Sequence, residues 1–312
     1  MGLILFWSFS KDELADAREI LKEVRQAAAG IHDDFRKFRV LGLVTDAQIK
    51  AGDKIEATNT IQQALREAEL IKDKSVKSFV LANLAEAEMK SGGATSAKVV
   101  LSQAFQIAST IQDDHSKGNA LRNVAAVRAK FGDMRVAFQI VSTIQQETAK
   151  AGALQDIALA QAESGDVRGA IETVAGIQED GPQAYALQLI AVAQAKAGKI
   201  REALQIANGI RRHFDKAWAL QEIAAADAAL GRLTPALETA SAIKDDLARA
   251  MAFGKIAKIQ ADKGDEPGAR MSVQKALRAT IAIQDGPAKD LVLGGIAFAQ
   301  ARVGEEPLSN SG

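Results

Sequence analysis

Residues 186–199 read ALQLIAVAQAKAGK, and residues 153–166, thirty-three positions earlier, read ALQDIALAQAESGD. The two stretches share their apolar spacing, their alanines and a glycine one residue before the end. Aligning the chain on that glycine gives Gly52, Gly92, Gly132, Gly165, Gly198, Gly231, Gly264 and Gly304, at spacings of 40, 40, 33, 33, 33, 33 and 40. An isoleucine stands 21 residues before each: Ile31, Ile71, Ile111, Ile144, Ile177, Ile210, Ile243 and Ile283. Self-similarity at such a period is the signature of stacked repeats rather than of conventional domains.

Inside each segment the apolar residues follow helical spacing. Ten positions after the isoleucine come Leu41, Leu81, Leu121, Leu154, Leu187, Leu220, Phe253 and Leu293. Three further on come Val44, Leu84, Val124, Ile157, Ile190, Ile223, Ile256 and Ile296, followed by alanine in every unit but the first, which has Thr45. A stripe at i, i+3 and i+4 is one buried helix face, and a fixed alanine in it indicates close approach of a second helix. The glycine then ends the helix, because it accepts the left-handed conformation that helix termini favour. Asp53, Asp133, Asp166 and Asp265 follow it, suited to cap the next helix. Alanine returns five residues past the glycine, from Ala57 to Ala269. Acidic pairs at the other turn (Asp33-Asp34, Asp113-Asp114, Glu179-Asp180, Asp245-Asp246) suit the positive end of the next first helix. Pro182, Pro235, Pro267 and Pro287 fall at helix starts, where proline is tolerated. The unit is therefore a helical hairpin, and the expected fold is all-α, a solenoid of about eight stacked antiparallel helix pairs.

Composition agrees. The 312-residue chain is 47% apolar but only 4% aromatic, is dominated by helix-forming residues and contains five prolines. Thirty-nine basic residues balance thirty-nine acidic ones, which removes any general attraction to nucleic acid or anionic lipid. Cysteine is absent, so there is no disulfide framework, thiolate nucleophile or cysteine zinc site.

The order Leu187, Ile190-Ala191, Gly198, Ala203, with its counterparts in the other complete units, resembles the tetratricopeptide repeat over residues 31–304. That resemblance implies a right-handed superhelix whose first helices line a concave surface used for protein–protein interaction. The chain departs from the family in its period of 33 or 40 instead of 34, and in leucine where tryptophan is usual. Polar residues (Gln161, Gln194, Gln260, Gln300) stand at the usual tyrosine position, and the proline between units is missing. Ankyrin repeats share the 33-residue period, but their Thr-Pro-Leu-His start is absent. The extra heptad of the 40-residue units falls in the second helices after Gly52, Gly92 and Gly264. Two added turns lengthen a helix by about 10 Å while turning its buried face by ~20°, so higher ridges are expected to flank a lower centre.

No catalytic constellation is visible. His32, His115 and His213 lie in the inter-repeat turns of three separate units, and the acidic pairs lack the twelve-residue frame of a calcium loop. No phosphate loop or nucleophile elbow occurs. The chain reads as a non-enzyme without cofactor or metal. Lys50, Lys90, Lys130 and Lys196 recur two residues before the glycine, where cations suit the negative helix end.

Recognition is expected on the first helices. Eight residues after the isoleucine stands a variable position: Arg39, Phe79, Asn119, Gly152, Tyr185, Trp218, Met251 and Leu291. Three further on come Arg122, Gln155, Gln188 and Gln221. Positions that vary within a regular frame escape the packing rule, and tyrosine and tryptophan often anchor interfaces. The expected partner-binding residues are thus Phe79, Arg122, Gln155, Tyr185, Gln188, Trp218 and Gln221. The expected function is a non-catalytic scaffold that binds a peptide or protein segment along this face. The alternatives are a ligand-sensing regulatory repeat domain and a self-assembling structural scaffold.

The expected organisation is an apolar arm at 1–10, one repeat array at 11–304 and a disordered tail at 305–312. The arm, MGLILFWSFS, is too short to span a bilayer and lacks the layout of a secretory signal. It reads either as an arm packed on the first helix or as a leader remnant, which leaves a soluble protein of the cytoplasm or the bacterial periplasm. The helix at 287–303 is very apolar and has no second helix after it, so association with a second copy through it is expected.

Overall fold

The computed structural model describes residues 11–287, 289–290, 292–295 and 297. The arm at 1–10, Gly304, the tail at 305–312 and much of the helix expected at 287–303 lie outside the described residues. Those described form fifteen fully described α-helices, further helical residues between 287 and 297, and no strand. The first helices of the pairs are α2 (Asp34–Lys50), α4 (Lys74–Ser91), α6 (Asp114–Lys130), α8 (Glu147–Glu163), α10 (Asp180–Lys196), α12 (His213–Ala229) and α14 (Asp246–Asp262). The second helices are α3 (Lys54–Ala68), α5 (Ala94–Ser109), α7 (Met134–Ser142), α9 (Val167–Ala175), α11 (Ile200–Gly209), α13 (Leu233–Ser241) and α15 (Glu266–Thr280). Before them comes α1 (Lys11–Ala28), which packs on α2 as a second helix would.

The chain divides into two compact units, one ending at Gln161 and the other holding the residues from Ala162 onward. In the first unit α2, α4 and α6 touch in series, α3 sits against both α2 and α4, and α5 against both α4 and α6. The second unit repeats the scheme: α10, α12 and α14 touch in series, α11 bridges α10 and α12, and α13 bridges α12 and α14. Each of these second helices, α3, α5, α11 and α13, thus buries its face against two first helices.

The stop signals behave as their chemistry requires. Seven of the eight aligned glycines, from Gly52 to Gly264, have φ between 75° and 108°. At Gly52 the loop closes with two backbone bonds, Gly52 N to the Ile49 carbonyl (3.0 Å) and Asp53 N to the Gln48 carbonyl (2.9 Å), the Schellman pattern. At Gly132 an added Cβ would meet nothing within 4 Å, so only the backbone conformation demands glycine. Gly132→Ala is expected to cost about 1–2 kcal/mol, read as a lower urea midpoint. Gly254→Ala, within α14 and equally open, should instead stabilise by about 1 kcal/mol.

Caps sort by residue. Asp33, Asp73, Asp113 and Asp245 accept hydrogen bonds from the first turns of α2, α4, α6 and α14, and Asp53, Asp166 and Asp265 do the same for α3, α9 and α15. Asp133 and Glu179 occupy cap positions without a side-chain cap bond. Asp133 instead meets Arg128 at 3.3 Å.

Packing follows the stripe. The alanines five residues past the glycines, from Ala57 to Ala269, are all 0% exposed, as are Ala85, Ala125, Ala158, Ala191, Ala224 and Ala257 in the first helices. Any larger side chain there would push helices apart. Thr45 fits the same slot by donating its hydroxyl to the Leu41 carbonyl (2.8 Å). The repeat frame weakens at the end of the described residues, where Leu293 is 38% exposed although its counterparts Leu41, Leu81 and Leu121 are buried.

The added heptads lie where the spacing put them. α3, α5 and α15 have 15, 16 and 15 residues, against 9, 9, 10 and 9 for α7, α9, α11 and α13.

One row of residues has a role that its sequence did not announce. Seventeen positions after the isoleucine stand Gln48, Glu88, Arg128, Gln161, Gln194, Asp227 and Gln260, and all but Arg128 are buried. Four of them, Glu88, Arg128, Asp227 and Gln260, tie a first helix to the following turn or helix, while Gln194 donates to the Ala162 carbonyl at the end of α8 (3.0 Å). Gln260 donates to Asp265 (2.8 Å) and accepts from Ser272 (2.6 Å), while Glu88 accepts from Ser96 (2.6 Å). Arg128 pairs with Asp133, and Asp227 with Arg232, the same contact with its charges exchanged.

Candidate functional site

The first-helix face of the first unit carries an open groove of about 460 Å³ between α2 and α4. Helical periodicity builds its walls. Phe35, Arg39, Leu43 and Asp46 are spaced by three or four residues and so line one side of α2. Phe79, Asn83, Glu86 and Lys90 line α4 in the same way. From Phe35 to Asp46 the groove runs about 16 Å along the helix at 1.5 Å per residue. Gly42 lies on its wall, and a Cβ built there would meet nothing within 4 Å.

The two ends differ chemically. At one end the Phe35 and Phe79 rings lie 5.2 Å apart at 32°, and the buried Phe38 also lines the groove. Phe35, Leu43 and Phe79 are 46%, 64% and 36% exposed, a concentration of apolar surface in a chain with few aromatics. At the other end four charges alternate: Lys90 reaches Asp46 (3.3 Å) and Glu86 (3.1 Å), and Lys130 from α6 reaches Glu86 (2.8 Å). Burial favours the neutral form of Glu86, but the two lysines outweigh it and hold the carboxyl below the usual range.

That depression has a signed consequence. A lowered folded pKa contributes stability that is complete above the unfolded value and is lost as pH falls through the folded one. Glu86→Gln should therefore lose less stability than the native chain as pH drops below the ordinary glutamate value of 4.5. Thermal midpoints at pH 7 and pH 3 check this, and an identical drop in both chains would contradict it.

A second, smaller cavity of about 220 Å³ shares Phe35 and Phe79 as its wall and continues onto Val76, Ser116, Asn119 and Ala120. The phenylalanine pair therefore stands between two depressions.

The seven residues expected to bind a partner divide between the units. In the first, Phe79 is exposed in the groove, whereas Arg122 is committed. Its Nε donates to Asp156 (2.7 Å), and its guanidinium lies so close over Gly152 that a Cβ there would approach it to 2.5 Å. That explains glycine at a position otherwise held by large residues. Gln155 on α8 is half-buried and engaged in polar contact. In the second unit Tyr185 is 47% exposed and Gln188 is half-buried. Trp218 is half-buried with its ring 5.8 Å from that of the exposed Phe214, and its Nε1 is buried without a partner. Gln221 is fully buried and donates to Glu222 (3.2 Å), so it offers no surface. It follows the buried stripe because its side of α12 faces the neighbouring first helices.

Sequence reasoning missed Phe35, Leu43, Lys90 and Lys130 as parts of one groove. The recurring lysine before the glycine was visible, but its approach to acids of adjacent first helices was not. His115 contacts Asn119 (3.1 Å) and Gln146 (3.0 Å). Among the described residues no group of three or more His, Cys, Asp or Glu gathers to hold a metal. No helix among them is long and apolar enough to cross a membrane.

No family model and no curated protein matches the chain. Among solved structures it is similar to Ton1535 from Thermococcus onnurineus NA1, at 17% identity and a TM-score of 0.37, over 91% of this chain and 84% of the other. It is also similar to a tetratricopeptide repeat protein from Parabacteroides merdae ATCC 43184, at 14% identity and a TM-score of 0.32, over 84% and 98%.

Proposed function

We propose that the chain is a non-catalytic scaffold that binds a peptide or protein segment on its first-helix faces, with the α2–α4 groove as the principal contact. The observation that carries this reading is the exposed Phe35–Phe79 pair with Leu43 in an open cleft. The rest of the apolar stripe on these helices is packed away, so the exposed groups are not needed to hold the hairpins together. Exposed aromatic residues clustered in a depression supply binding energy when a partner desolvates them. In the second unit the exposed Tyr185 and the Phe214–Trp218 pair offer further aromatic surface for the same use.

The test is selection of binding peptides from a random library on the immobilised chain, followed by competition with first-helix variants. Peptides whose binding is lost in Phe35→Ala or Phe79→Ala, and kept in Phe138→Ala on α7, support the reading. A library that yields no binder, or binders indifferent to both groove variants, refutes it.

A further inference from the structure

The chemistry of the groove narrows its occupant, on the footing that the groove binds a peptide at all. Five charged side chains line the larger cavity, and four of them satisfy one another: Asp46, Lys90, Glu86 and Lys130. Arg39 is the fifth. It is exposed, stands one helical turn from Phe35 and one from Leu43, and has no carboxylate partner among the described residues. An apolar groove with one uncompensated guanidinium is complementary to an apolar group beside a carboxylate, which guanidinium binds in a fork of charge-assisted hydrogen bonds.

Spacing joins the subsites. In an extended chain residues i and i+2 point to one side about 6.6 Å apart. One turn along α2 from Phe35 to Arg39 advances about 6 Å. Alternate residues of one extended segment thus reach the phenylalanine pair and Arg39.

We infer that the occupant is an extended peptide segment with a large apolar residue and an acidic residue at alternate positions, the apolar residue seated against the Phe35–Phe79 pair and the carboxylate on Arg39. Two heptapeptides, acetylated and amidated so that neither end is charged, probe this: Ala-Ser-Ala-Phe-Ala-Glu-Ala and its reversed order. Binding is followed by fluorescence anisotropy with a dye on an added lysine. One order should saturate the native chain. Replacing its Glu by Gln should weaken binding about tenfold on the native chain and less than about twofold on Arg39→Gln, because the charged hydrogen bond is gone from both. Phe79→Ala, checked for unchanged helicity, should weaken binding about tenfold or more.

Equal Glu-over-Gln preference in Arg39→Gln overturns the assignment, as does full affinity in Phe79→Ala or no binding of either order. If library-selected peptides occupy the groove while neither heptapeptide does, this inference fails and the scaffold reading stands. If no peptide of any kind binds there, both fail.

Discussion

Arg232→Ala is expected to be among the most damaging single substitutions in the second unit, at about 3–5 kcal/mol. Asp227 is 2% exposed and receives the Arg232 Nε at 2.5 Å. Removing the arginine, which is itself half exposed, leaves a carboxylate inside the protein without its counter-charge. Asp227→Ala should be milder, because the arginine left behind can turn to water. The chain supplies its own control in the first unit, where Arg128 occupies the buried side and Asp133 the turn, 3.3 Å apart. The exchanged pair Asp227→Arg with Arg232→Asp should therefore recover more than half of the loss. Far-UV circular dichroism in urea measures all four chains. A cost below about 1 kcal/mol for Arg232→Ala would place this contact among ordinary surface pairs.

Ile190→Ala is the second, at about 2–5 kcal/mol. Ile190 is fully buried on α10, beside the equally buried Ala191, and α10 packs on α9, α11 and α12. A cavity there weakens every contact that the pair makes with its neighbours. Stability in a stacked array is the sum of each unit and its nearest-neighbour interfaces, so the damage should be graded along the second unit. Amide hydrogen exchange should quicken most in α9–α12 and least in α15. Uniform acceleration over the unit would mean that it melts as a single cooperative body instead.

Most of the architecture could be read from residues with one physical reason to be where they are. A left-handed helix end tolerates glycine far better than other residues, and a close helix crossing admits only alanine, so Gly198 and Ala203 mark the same geometry wherever the spacing recurs. The row from Gln48 to Gln260 was legible only as a departure from a familiar pattern. Its purpose depends on bonds such as Gln260 to Ser272, between residues whose pairing no local periodicity reveals. Gln221 illustrates the same limit from the other side. A polar residue at a variable position reads as surface, yet the neighbours of α12 bury it.

The groove itself was half legible. Phe79 stands at a position that varies within the frame, but Phe35 precedes the regular stripe and belongs to the adjacent repeat. Their ring contact arises only once α2 and α4 lie side by side. Arg122 was equally conspicuous and has a different job, since its guanidinium closes over Gly152. Variation singles out positions released from the packing rule, and only the folded neighbours decide whether a residue there faces a partner or another repeat.

Hydrogen exchange on the chain with and without a library-selected peptide tests the central claim most directly. Slower exchange within α2 and α4, with α3 and α5 unchanged, is the predicted result. Protection confined to the second helices α3, α5 or α7 would contradict it, since the binding surface would then lie away from the phenylalanine groove.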